Sequence, residues 1–195
     1  MSRALLAILL CAAAPAFAET RAWDFRVLLE DREIGRHRFE LRATEGGREL
    51  RSEARFEVRV LRIPAYRYEH EAVERWRGDC LESLRSRTND NGEPAEVDWR
   101  NAGGGCAMSF AYWNPRILKG GRLLNAQTGE VVPVSVVAQG EETIEVRGRP
   151  VLAQRHRLRS LAGPKLAIDL WYAGGEWVAL ESTTEGGRVL RYRLM

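Results

Sequence analysis

Hydrophobic and polar residues alternate along most of the chain with a period of two. Trp23, Phe25 and Val27 share one face of the first such segment, and apolar or small residues alternate with arginine and glutamate over residues 50–60. Successive side chains of a β-strand point to opposite sides, so this period predicts strands with one buried and one solvated face. Opposite charges on the solvated face also suit pairing between neighbouring antiparallel strands.

Turn-forming residues divide this pattern into strands, and no segment has a helical period over three turns. The sequence Asn-Asp-Asn-Gly at residues 89–92 is typical of a tight hairpin, because asparagine and glycine tolerate positive φ. The fold class predicted is all-β, a single antiparallel, strongly curved sheet or barrel of about 11–12 strands, with a two-sheet sandwich as the alternative. The predicted strands are 23–29, 37–43, 50–60, 65–77, 80–88, 95–100, 131–138, 142–147, 151–160, 165–173, 176–184 and 188–194.

An insert near residues 106–130 interrupts the alternation and is predicted to be irregular or to contain a short helix. Binding sites often lie on loops held by a rigid scaffold, and aromatic walls with a few polar groups suit an amphiphilic ligand. The alternative is a structural plug that closes one end of a barrel. The candidate ligand-binding residues are Tyr112, Trp113, Asn114, Asn125, Gln127, Thr128 and Glu130 in the insert, and Tyr66, Tyr68 and His70 on the strand 65–77.

The N-terminal residues predict a secretory signal peptide. The apolar run at residues 4–14 is too short to span a bilayer, and an Ala-x-Ala cleavage motif ends at Ala18. We expect residues 1–18 to be cleaved and residues 19–195 to form a single β domain in the periplasm. A lipoprotein anchored through Cys11 is the alternative, although a leucine rather than a small residue precedes that cysteine.

Cysteine usage is consistent with export. Only Cys80 and Cys106 remain after removal of the signal peptide, and an oxidising compartment favours a disulfide between them. Two free buried thiols are the alternative. No C-x-x-C motif or neighbouring histidine accompanies either cysteine, so we expect no catalytic role for them.

Composition and charge exclude several functional classes. A chain of 195 residues with a net charge of +3 and mixed charges fits one domain and does not indicate nucleic-acid binding. If their strands are neighbours, five arginines would form a basic stripe able to contact an anionic membrane surface. The alternative is an ordinary wet face paired with Glu181 and Glu185. The five arginines are Arg155, Arg157, Arg159, Arg191 and Arg193.

Motifs for catalysis, metals or cofactors are absent from the sequence. The three histidines have no short-spaced pair typical of a zinc site, and no G-x-S-x-G or phosphate-binding glycine loop occurs. Glu69, Glu71 and Glu74 lie among arginines and are interpreted as a solvated salt-bridge face. We therefore predict no catalytic residue, metal or cofactor. An enzyme using His70 with Tyr68 and Glu130 remains an alternative.

Six short motifs are distributed along the chain: Trp23-x-Phe25, Ile34-Gly35-x-His37-x-Phe39, Thr88 to Gly92, Phe110 to Pro115, Leu123 to Glu130 and Leu170-Trp171-Tyr172. Together these motifs resemble a proteobacterial family of exported proteins of unknown function. The resemblance covers nearly all of the mature chain. The last third also resembles the curved sheets of periplasmic lipoprotein and lipid carriers, which implies a cavity for a hydrophobic ligand.

The functional expectation is a non-enzymatic periplasmic carrier of a lipid or other hydrophobic small molecule. An enzyme acting on an envelope lipid or small molecule, and a scaffold that binds another protein, are the alternatives. The sequence leaves the oligomeric state open.

Overall fold

The computed structural model describes residues 20–61, 63–184 and 186–195, so the predicted signal peptide lies outside the described residues. The described residues confirm the all-β fold: thirteen strands form one sheet, and a 3₁₀ helix spans Pro115–Lys119. The strands are β1 Thr20–Leu29, β2 Arg32–Thr44, β3 Gly47–Val60, β4 Ile63–Arg77, β5 Cys80–Asp90, β6 Glu93–Arg100, β7 Met108–Ser109, β8 Gly121–Leu124, β9 Val131–Val146, β10 Arg149–Ser160, β11 Ala167–Ala173, β12 Glu176–Thr183 and β13 Val189–Leu194.

The strand order is β6-β5-β4-β3-β2-β1-β13-β12-β11-β10-β9-β8-β7. Every neighbouring pair is antiparallel except β7 and β8, which run parallel. The first and last strands pair at the middle of the sheet, where Phe25 lies opposite Leu194. The two halves of the chain therefore form the two halves of one curved sheet. The insert between them contributes β7 and β8 at one edge of this sheet.

The sheet does not close, so the barrel alternative is wrong. The edge strands are β6 and β7, and β7 contains only two residues, too few to pair along β6. An isolated bridge between Leu81 and Ala107 links β5 to the segment before β7, and the Leu81 amide donates to the Ala107 carbonyl at 2.9 Å. Next to this bridge, the predicted Cys80–Cys106 disulfide is confirmed, with the two Cα atoms 4.8 Å apart.

The strand count differs from the prediction in the second half of the chain. The predicted strands 131–138 and 142–147 merge into one long strand, β9, which ends at Val146, because the pairing passes from Gly140 to Ala138 across a bulge at Gln139. Gly140 has a φ of 99°, which a bulge accepts without ending the strand. The insert adds the short strands β7 and β8, which gives thirteen strands in place of twelve.

The concave face of the sheet carries the core. Alternate residues of most strands face inward, as the period of two predicts, whereas β11 and β12 bury consecutive residues. The insert packs onto the concave face through Trp113 and Ile117. Trp113 meets Trp76 of β4 edge-on, with ring centroids 5.3 Å apart. Asn114 caps the 3₁₀ helix, since its side-chain oxygen accepts a hydrogen bond from the Arg116 amide at 3.1 Å. The insert thus forms a cover over the sheet.

The predicted basic stripe is not continuous. Two strands, β11 and β12, separate β10 from β13, so the two groups of arginines are not neighbours. Arg155 and Arg157 both bond to Asp169 at 2.7 Å, and the arginines of β13 pair with Glu181, one of the two predicted partners. Glu185 lies outside the described residues. Contact with an anionic membrane stays a prediction.

No helix in the part of the chain that the structure describes is long and apolar enough to cross a membrane.

Candidate functional site

A cavity of about 260 Å³ lies between the concave face and the insert. Its walls come from both halves of the sheet and from the cover, so the site depends on the curvature that brings β2–β4 opposite β11–β13. Most of the lining is apolar or aromatic, with a few polar side chains. The lining residues are His37, Phe39, Leu50, Ser52, His70, Glu74, Phe110, Ala111, Tyr112, Trp113, Asn125, Ala126, Gln127, Leu166, Ile168, Leu180, Ser182, Leu190 and Tyr192.

His37 lies on β2 and contributes a polar atom to the aromatic wall. Its ring stacks on Phe39 with centroids 4.0 Å apart, and its Nδ1 lies 3.3 Å from the Tyr192 hydroxyl. Among the described residues, its buried Nε2 has no hydrogen-bond partner. Burial lowers the pKa of His37 to about 3, with a smaller contribution from nearby His70. The ring is therefore neutral at neutral pH.

His70 lies on β4 and is also neutral at neutral pH. Its Nδ1 lies 2.8 Å from the Thr88 hydroxyl of β5. Burial lowers the pKa of His70 to about 4, because a charged imidazolium loses its hydration in this apolar setting. The two cavity histidines are thus polar but uncharged groups.

Glu74 is a cavity residue that the sequence interpretation missed. It was grouped with Glu69 and Glu71 as a solvated face, but only those two are exposed, and Glu74 is 6 % exposed. Its position in the strand could have indicated burial, since Glu74 is separated from His70 and Trp76 by even numbers of positions and therefore lies on the same inward face of β4. Trp76 Nε1 donates a hydrogen bond to Glu74 Oε2 at 3.0 Å.

Burial makes the Glu74 carboxyl easier to protonate than an exposed glutamate. Burial raises its pKa to about 7, and the hydrogen bond from Trp76 only partly opposes this rise. Across the strands its neighbours are Leu50 of β3 and Leu84 of β5, which cannot stabilise a negative charge. Near neutral pH the carboxyl therefore exists in both the protonated and the ionised form.

Ionisation of Glu74 is expected to make stability fall as pH rises. The folded-state pKa lies above the unfolded value, so the folded state binds the proton more tightly between about pH 4.5 and pH 7. The resulting loss between pH 5 and pH 8 is about 2 to 3 kcal/mol. The free energy of unfolding, measured in urea at several pH values for the wild type and Glu74→Gln, should converge at acid pH, separate between about pH 4.5 and pH 7, and differ most above pH 7. Parallel profiles for the two proteins would contradict this prediction.

The structure brings five of the predicted ligand-binding residues to the cavity: His70, Tyr112, Trp113, Asn125 and Gln127. The other five lie elsewhere. Tyr66 and Tyr68 belong to a second apolar cluster, in which Tyr68 stacks on Phe56 with centroids 5.2 Å apart. Asn114 caps the 3₁₀ helix as described. Thr128 and Glu130 form an exposed turn, in which the Glu130 amide donates to the Thr128 hydroxyl at 3.2 Å.

The arrangement offers little support for acid–base catalysis or metal binding. Glu130 is exposed and Tyr68 lies outside the cavity lining, so the three acid–base candidates do not converge. Within the described residues, no group of three or more His, Cys, Asp or Glu side chains could hold a metal ion. What the cavity can do is enclose an apolar body and hydrogen-bond to a polar group on it.

No curated protein matches the sequence. A family model described as a domain of unknown function, DUF6134, matches residues 25–195, which include most of the described sheet and the whole insert. The match agrees with the resemblance to a family without an assigned activity. The chain therefore belongs to the DUF6134 family.

Proposed function

We propose that this protein binds a hydrophobic or amphiphilic small molecule in the cavity between the concave face and the insert. The observation that carries the proposal is the composition of the cavity walls. Aromatic and aliphatic side chains form most of the lining, and its polar groups include His37, Ser52, His70 and Glu74. This combination is typical of small-molecule sites, in which apolar walls supply affinity and a few polar groups fix orientation.

The size of the cavity limits the ligand. A volume of about 260 Å³ is near the lower end of the roughly 300 to 1,000 Å³ that ligand pockets span. A single short chain or a small ring system fits this space, whereas most of a two-chain phospholipid would remain outside. Among lipid-like ligands, the proposal therefore favours small single-chain or cyclic molecules.

We further propose that binding takes place in the periplasm. The signal-peptide pattern of residues 1–18 and the disulfide between Cys80 and Cys106 support this location. The disulfide lies where the first half of the sheet meets the insert, so an oxidising compartment would also stabilise the cover of the cavity.

Filling the cavity is expected to abolish binding. Ser52 on β3 is 7 % exposed and lines the cavity, so a leucine there would occupy ligand space. Octan-1-ol serves as the probe, because it has a single short apolar chain and one polar group. For Ser52→Leu we expect its affinity to fall about tenfold or more, equivalent to at least about 1.4 kcal/mol. Isothermal titration calorimetry of the purified protein provides the measurement.

Glu53→Leu is the matched control, because it introduces the same side chain one residue away on the exposed face of the same strand. This variant should bind octan-1-ol like the wild type. Equal affinity of the wild type and a folded Ser52→Leu variant would contradict the proposed site, as would undetectable binding to the wild type.

A further inference from the structure

The charge of the cavity lining is one-sided. Among the described residues that line the cavity, Glu74 is the only acidic one, and none is an arginine or a lysine. By contrast, Glu49 on the outer face of β3 has two basic partners: it bonds to Arg51 at 3.0 Å and lies 3.5 Å from Arg75. Glu74 thus differs from Glu49 in facing an apolar cavity without a basic partner.

A buried carboxylate without a counter-ion is costly, and a ligand that supplies the positive charge removes that cost. The walls of the cavity suit a cation, since Phe39 and Tyr112 contribute aromatic rings to the lining. Trp113 also lines the cavity, but its ring already has the Arg48 guanidinium 4.9 Å from its centroid. Aromatic faces attract an organic ammonium group, and a charge-assisted hydrogen bond to a carboxylate is stronger than a neutral one. An anionic ligand would meet Glu74 with nothing to balance its charge.

We propose that the ligand is a small amphiphilic amine, whose ammonium group pairs with the Glu74 carboxylate and whose apolar body lies against the aromatic walls. This inference rests on the proposed function, because it names the ligand class of the same cavity. His37 lines the same cavity and is neutral, so it does not repel the ammonium group.

The pH dependence of amine binding follows from the groups that face the cavity around Glu74. Burial keeps His37 and His70 neutral above about pH 4, and it raises the pKa of Tyr112 and Tyr192, which also stay neutral. Ser52 and Ser109 do not titrate. Between pH 6 and pH 8, Glu74 is therefore the cavity group that changes charge, and amine affinity should rise about tenfold over this range.

The test compares octylamine with octan-1-ol, which have the same chain and differ in the charge of the head group. Calorimetry at pH 8 should give the wild type about a tenfold or greater preference for the amine. Glu74→Gln keeps the size of the side chain and an acceptor for Trp76, and it should bind octylamine no more tightly than octan-1-ol. Glu49→Gln is the control on the outer face and should bind both molecules like the wild type.

The outcomes separate this inference from the proposed function. Octan-1-ol binding without a preference for octylamine would overturn the amine inference alone. An amine preference that survives in Glu74→Gln would also overturn it. If neither molecule binds to the wild type, the proposed function fails and the inference with it. Should Glu74→Gln fail to fold, the pH series on the wild type decides, since amine affinity that is equal at pH 6 and pH 8 would overturn the inference.

Discussion

Gly35→Ala is expected to prevent stable folding, with a loss in the free energy of unfolding of more than about 4 kcal/mol. Gly35 lies on β2 opposite Phe56 of β3, next to the register shift between Val27 and Leu28 of β1. A Cβ atom added there would lie 1.9 Å from the Arg55 carbonyl oxygen. The obstacle is backbone, which cannot rotate away like a flexible side chain, so β2 and β3 would have to separate where they support His37.

Gly103→Ala provides the matched control. No heavy atom lies within 4 Å of a Cβ added at Gly103, and its φ is not in the left-handed region. We expect this substitution to change the free energy of unfolding by less than about 0.5 kcal/mol. Urea denaturation followed by tryptophan fluorescence measures both variants. A Gly35→Ala protein as stable as Gly103→Ala would show that the close approach of β2 and β3 is not present in solution.

Trp177→Ala is expected to lower the free energy of unfolding by about 3 to 5 kcal/mol. Trp177 of β12 is 1 % exposed, and its ring lies 4.3 Å from Phe25 and 5.2 Å from Phe39, measured between centroids. It also contacts Tyr112 of the insert at 5.3 Å. Removing this ring leaves a void at the point where both halves of the sheet meet the cover, so octan-1-ol affinity should fall as well.

Trp99→Ala is the matched control, because it removes the same side chain from a position outside the centre of the core. Trp99 lies half-buried on the edge strand β6, so truncation there leaves no enclosed void. We expect a cost below about 2 kcal/mol and unchanged octan-1-ol affinity. Chemical denaturation of both variants, together with calorimetric binding, makes the comparison. Equal destabilisation by the two substitutions would contradict the central position of Trp177.

Local patterns were sufficient to predict the strands and several turns. The alternation at Trp23, Phe25 and Val27 corresponds to three buried side chains of β1. The turn predicted at residues 89–92 joins β5 to β6, with Asn91 and Gly92 at φ values of 54° and 98°. These features depend on neighbouring residues, because strand period and turn conformation are set within a few positions.

Features that depend on distant residues could not be predicted in the same way. A bulge and a turn both favour glycine, so Gly140 was interpreted as a break between strands when it continues β9. Closure of the sheet depends on how the edges β6 and β7 meet, which the alternation of either strand does not determine. The same holds for the pairing of β1 with β13, residues that are far apart in the sequence.

Glu74 shows that its position in the strand period is a better guide to its burial than the charges of its sequence neighbours. A glutamate near Arg75 and Arg77 suggests a solvated salt bridge, yet the strand period places it inward with His70. Half of the predicted ligand-binding residues line the cavity, and four of these five lie in the insert. The sequence could indicate them because the insert is irregular and rich in aromatic residues. The walls contributed by β11–β13, such as Ile168 and Ser182, could not be assigned without knowing which strands face the insert.

A histidine NMR titration tests binding in the cavity most directly. The chain contains three histidines; His37 and His70 line the cavity, whereas His156 lies outside the lining, beside Tyr172. In ¹⁵N-histidine-labelled protein titrated with octan-1-ol, the account predicts that the imidazole signals of His37 and His70 shift in a saturable manner while His156 stays unchanged. Unmoved His37 and His70 signals, or a saturable shift confined to His156, would contradict it.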